Sequence, residues 1–225
     1  VLATAPRDEL VALAGVALVY LSARSPFTWT RWLPAPHAAR QVIRRLLRSL
    51  VFLAPLPFLP APELTPPPWA LGAGLVIGVA AVATQWRETR RWLQPAYLRL
   101  LGPVTPVDRA RDLIHASVGG AAQEYLYRGA VLIAFTPLLG PGAVLLAATL
   151  FVVEHLVQRD AVWDRKDIAL HAALSLALGA VAYAGGGLLP AIIGHTIYNL
   201  PNVIVTLRRP GEPARPGATA QTSAA

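Results

Sequence analysis

An all-α bundle of about seven transmembrane helices is the fold class this sequence predicts, on three observations. Apolar residues fill 55% of its 225 positions and charged residues only 14%. Mean hydropathy is +0.48, which is too apolar for an ordinary soluble domain of this size. The basic residues stand in short clusters between apolar runs. A net charge of +8 raises the question of nucleic acid, but clusters placed this way encode topology rather than a basic binding face. The partner they imply is the lipid bilayer, with no nucleic acid.

A helix needs roughly 20 mostly apolar residues to cross the hydrocarbon core. Seven segments approach that requirement. The first is 10–23, and the second, 43–59, is entered through a basic stretch from Arg40 to Arg45 and ended by a proline-rich run. The third, 69–86, has Trp69 and Trp86 at its ends, where indole rings favour the membrane interface. The fourth covers 110–135, the turn 137–141 leads into the fifth at 142–157, the sixth covers 168–184, and Gly185-Gly186-Gly187 precedes the seventh at 188–207. Residues 1–207 thus form the expected transmembrane domain. The remainder, 208–225, is rich in Pro, Ala, Gly and Thr and is expected to be a disordered tail. The first span is not expected to be a signal peptide, because Arg24 and Arg31 follow it where a cleavage site of small residues would stand.

Lys and Arg accumulate on the cytoplasmic side of a membrane. Arg24, Arg31 and Arg40 lie between the first and second spans; Arg87, Arg90, Arg91, Arg99 and Arg109 between the third and fourth; Arg159, Arg165 and Lys166 between the fifth and sixth; Arg208, Arg209 and Arg215 after the seventh. The opposite loops, 60–68, 137–141 and 185–187, carry none. Seven spans with the N-terminus outside and the C-terminus cytoplasmic satisfy every loop. A single lysine among 20 basic residues, with abundant Arg, Ala and Pro, suggests a GC-rich bacterial genome, and hence a multi-pass protein of the inner membrane. There is no cysteine, so no disulfide, thiolate metal site or cysteine nucleophile is available.

Ionisable residues at membrane depth are costly and mark functional sites by default. On the fourth span Glu124 and Arg128 are spaced i,i+4, so they share a helix face and can neutralise each other. An intrahelical salt bridge that only fixes packing explains that pair equally well. On the fifth span Phe151 and His155 share a face beside Glu154, and on the seventh His195 and Asn199 do the same. A lone histidine on an apolar helix is usually a packing residue. Two histidines, an asparagine, a carboxylate and an arginine on three helices can supply one another's partners. His115 and His171 are weaker cases, read as interfacial or packing residues.

Three of these patterns, Gln123-Glu124-x-x-x-Arg128, Phe151-x-x-x-His155 and His195-x-x-x-Asn199, resemble the motifs of the CAAX-protease and bacteriocin-processing (CPBP, or Abi) intramembrane proteases. That family reads Glu-Glu-x-x-x-Arg, Phe-x-x-x-His and His-x-x-x-Asn in the same order. The resemblance covers about 110–207. It implies a glutamate protease without metal or other cofactor, in which the first Glu of the first motif and the second-motif His activate a water. His195 and Asn199 would then form the oxyanion hole, and the substrate would be a membrane-anchored protein or peptide. The chemistry is sound, since a carboxylate shielded from water is a stronger base and preorganised donors stabilise a tetrahedral oxyanion.

The departure is Gln123. An amide cannot accept the proton that the family's first glutamate takes, so the chain is expected to be inactive. An engineered mutation explains one shape-preserving change among intact motifs better than natural drift does. The alternative is a natural pseudoprotease that holds a peptide or confers bacteriocin immunity. A transporter or divalent-metal protein is a third reading, disfavoured because the sequence shows no inverted repeat.

Overall fold

The computed structural model describes residues 6–24, 32–62, 65–157 and 164–211. The expected tail beyond 211, and the basic positions Arg31, Arg159 and Arg215, lie outside the described residues. Among those described, every regular element is a helix, and the β-type pairing is a single bridge between Val104 and Gly211.

The helices, in chain order, are α1 (Pro6–Arg24), α2 (His37–Val51), α3 (Pro68–Thr84), α4 (Trp86–Trp92), α5 (Pro95–Leu100), a long α6 (106–139), α7 (Gly142–Val157), α8 (Arg165–Gly185) and α9 (Leu189–Arg208). Their ends follow local chemistry. Thr105 Oγ1 accepts a hydrogen bond from the Asp108 amide at the start of α6, with Pro106 at the first helical position. Asp164 and Asp167 form a reciprocal cap at the start of α8, and Gly186 ends that helix in the left-handed conformation at φ 68°.

Six of the seven expected spans fall on helices close to the sequence boundaries. The second does not run as one helix, because α2 ends at Val51 and tight turns carry the chain to Leu59. Pro55 and Pro57 supply no amide hydrogen there, so the regular ladder cannot continue. By length and composition, α8 is long and apolar enough to cross a membrane, and α3 with α4 meets the test as a pair bent by 68°. α7 is apolar but shorter.

α6 is the axis of the bundle. Leu126, Tyr127, Ala130 and Val131 on it are buried against Ala12, Val16 and Val19 of α1 and against Ala143, Ala147 and Phe151 of α7. α3 packs on α9 through glycines: a Cβ at Gly78 would sit 2.6 Å from the Gly194 carbonyl oxygen, and one at Gly74 would collide with the Pro190 backbone. Small residues four apart permit this backbone approach, which fixes α9 one residue before His195.

Candidate active site

α6 is interrupted by two π-helical turns, His115–Gly119 and Tyr125–Val131, on either side of Gly120–Glu124. Such turns insert an extra residue into the helix and recur at functional sites. Here they bracket the first motif. The Ala116 carbonyl, within the first π turn, accepts a hydrogen bond of 3.0 Å from Asn199 Nδ2 on α9. Gly120 lets the two helices meet, since a Cβ there would lie 3.1 Å from Asn199 Nδ2 and 3.6 Å from the His195 ring.

Glu124 and Arg128 form a buried ion pair of 3.0 Å, each side chain 1% exposed. The pair is not isolated. Glu124 Oε1 also accepts a 2.7 Å hydrogen bond from His195 Nδ1, while Arg128 Nη2 donates to Ser175 Oγ at 2.7 Å and to the Ser175 carbonyl at 3.0 Å. One carboxylate and one guanidinium thus connect α6, α8 and α9. Ser175 was not singled out from the sequence, where one serine in an apolar span carries no signal.

Phe151 joins the three motifs by ring contact. Its centroid is 4.4 Å from that of His155, 5.9 Å from His195 and 5.4 Å from Tyr127, and the Arg128 guanidinium lies 4.8 Å over its face. His155 Nδ1 is 2.8 Å from the Phe151 carbonyl. A carbonyl only accepts, so Nδ1 carries the hydrogen and Nε2 is the basic nitrogen.

Gln123, His155, His195 and Asn199 all line one cavity of about 570 Å³. It continues past Trp92, Leu101, Asp112, Asp167 and Arg209, at the helix ends that carry the arginine-rich connections. Glu124 and Arg128 lie behind its wall, and Arg128 instead borders a separate cavity of about 220 Å³ with Pro62, Thr136, Tyr183 and Leu188.

His115 and His171, read from sequence as interfacial or packing residues, both line the main cavity. The His171 ring lies 5.1 Å from His155, and its Nε2 is 3.3 Å from Tyr198 Oη. Among the described residues no group of three or more His, Asp or Glu is assembled to hold a metal ion. Gln123 is 7% exposed, and its Nε2 donates to Glu154 Oε2 at 3.0 Å.

The family model described as "Type II CAAX prenyl endopeptidase Rce1-like" matches residues 111–201, a stretch that contains all three motifs. No curated protein and no solved structure matches the chain. The similarity to the CAAX protease family therefore rests on residues 111–201 and on the three motifs within them.

Proposed function

We propose that this protein is an intramembrane glutamate-type endopeptidase of the CPBP group that cleaves a membrane-anchored protein near its C-terminus or membrane segment. The observation that carries this reading is the convergence of position 123, His155, His195 and Asn199, from α6, α7 and α9, on one cavity. In this reading His155 handles the proton of the attacking water, and His195 and Asn199 receive the developing oxyanion. Glu124 and Arg128 hold α6 and His195 in register.

The protease core spans about 110–207 of a seven-span, multi-pass protein of a bacterial inner membrane, with the N-terminus outside and the C-terminus cytoplasmic. The charge alternation of its loops supports this orientation. The cavity's extension towards the arginine-bearing ends then means that substrate and water enter from the cytoplasmic side.

By the family's route, in which a carboxylate at position 123 takes the proton, the Gln123 chain is inactive. The second reading, a pseudoprotease that binds a peptide or confers bacteriocin immunity, is favoured by that one residue. Comparing the membrane proteomes of cells carrying no chain, the Gln123 chain or its Gln123→Glu variant tests the assignment. The expected result is one membrane-anchored protein that is shortened when Gln123→Glu is present. Unchanged lengths throughout would remove the endopeptidase reading and leave the binding protein.

A further inference from the structure

We propose that Glu154 supplies the carboxylate that position 123 lacks, acting through His155, so that the chain with Gln123 is itself a working protease. The inference rests on the endopeptidase reading and replaces the expectation of inactivity.

The missing charge has not left the site. Glu154 is 2% exposed, one residue before the second-motif histidine, and its Oε2 is 3.0 Å from Gln123 Nε2 and 3.2 Å from His155 Nδ1. Adjacent residues on a helix ordinarily point about 100° apart, so the carboxylate must curl back to reach the neighbouring ring. A buried carboxylate is costly unless hydrogen-bonded and partnered. Retaining one in an apolar helix, against the residue where the family carries its own carboxylate, needs a reason.

Geometry decides how Glu154 acts. Gln123 and His155 line the large cavity, whereas Glu154 lies on their far side, where it borders a void of only about 10 Å³ together with Gln123, His115, Ser49, Arg45 and Arg48. Glu154 therefore does not meet substrate. It is a positioning residue for His155, whose Nδ1–H faces both the Phe151 carbonyl and Glu154 Oε2 and whose Nε2 remains the base. Because the Gln123 amide nitrogen is committed to Glu154, its carbonyl oxygen is the atom left to accept a hydrogen bond from water.

The reaction then balances without a carboxylate at 123. A water held by Gln123 Oε1 gives a proton to His155 Nε2 while its oxygen bonds to the scissile carbonyl carbon. The C=O electron pair moves onto oxygen, towards His195 and Asn199. On collapse, His155 Nε2–H protonates the amide nitrogen and the C–N bond breaks, giving an amine and a carboxylic acid whose remaining proton passes to water. Glu154 stays ionised throughout and balances the imidazolium, a role the carboxylate partner of a catalytic histidine fills elsewhere.

The test compares the native chain, Glu154→Gln, Gln123→Glu and the exchange variant Gln123→Glu/Glu154→Gln, each reconstituted in liposomes. The first probe is a quenched-fluorescent peptide ending in a prenylated tetrapeptide. The second is diethyl pyrocarbonate, with labelling of His155 read by mass spectrometry and His171 as internal reference. The native chain should cleave, and Glu154→Gln should lose on the order of 10²–10⁴ of kcat, the usual contribution of general acid–base catalysis. The exchange variant should recover to within about tenfold, since the charge returns across a single hydrogen bond. His155 labelling should slow in Glu154→Gln and recover in the exchange variant. Full cleavage by Glu154→Gln, failure of the exchange to rescue, or unchanged labelling would each overturn the inference. If labelling follows the charge but none of the four chains cleaves, the endopeptidase reading falls and the Glu154–His155 dyad stands.

Discussion

Glu124 Oε1 receives both a guanidinium and an imidazole: Arg128 Nη1 at 3.0 Å from one turn along its own helix and His195 Nδ1 at 2.7 Å from 71 residues away. A single oxygen therefore couples the conformation of α6 to the placement of a third-motif histidine. Removing one partner of such a group leaves an uncompensated buried charge.

Arg128→Ala should lower stability by about 3–5 kcal/mol, the cost typical of breaking a buried pair from one side. Arg128→Lys should recover little of it, because an ammonium cannot reach Glu124 and both Ser175 oxygens as the planar fork does. Denaturation of the purified protein in mixed micelles measures both. Near-native stability of Arg128→Ala would show that His195 alone compensates Glu124.

Gly120→Ala tests the close approach of α6 to α9. The added methyl would meet Asn199 Nδ2 at 3.1 Å and the His195 ring at 3.6 Å, tight enough to push the amide off the Ala116 carbonyl. Cleavage should fall through kcat with little change in KM, while alanine's better helix propensity offsets part of any lost stability. Gly72→Ala on α3, where nothing lies within 4 Å of the added atom, is the control and should leave both unchanged.

Phe151→Leu keeps an apolar residue but removes the ring that touches His155, His195, Tyr127 and the Arg128 guanidinium. Aromatic pairs contribute about 0.5–1.5 kcal/mol each beyond area burial, so the loss should be about 2 kcal/mol in thermal or chemical denaturation. Activity should drop further than stability, since two of the contacts hold cavity-lining rings. Equal losses in Phe151→Leu and in a substitution at Leu126 would reduce Phe151 to ordinary core.

The spacing rules made the i,i+4 pairs and the three spans that carry them legible, because a helix of 3.6 residues per turn projects such pairs from one face. They could not show how deep each helix sits. On seven straight spans His155 and His195 begin at different levels, and it is the packing of Gly74 and Gly78 on α9, with the π turns of α6, that brings the His195 ring to Phe151, which His155 already meets one turn along α7. The link of Glu154 to position 123 escaped for a related reason. Its partner is 31 residues away on another helix, and no local periodicity links position 154 to position 123. Ser175 and the cavity positions of His115 and His171 are likewise products of tertiary packing alone.

The orientation of the whole assembly can be tested on α8 by itself. With 21 residues at about 1.5 Å rise per residue, it is about 30 Å long and matches the hydrocarbon thickness. Lys166 and Ala184, near its two ends, are both exposed. Because the chain has no cysteine, a single introduced thiol is labelled without background. Ala184→Cys should react with a membrane-impermeant maleimide added to intact cells, and Lys166→Cys should react only after the membrane is opened. Asn202→Cys, exposed on the cavity wall, should follow Lys166→Cys, since the cavity runs towards the same helix ends. The reverse pattern would invert the topology and turn the cavity to the outer face, where an exported protein rather than a cytoplasmic tail would reach Gln123 and His155.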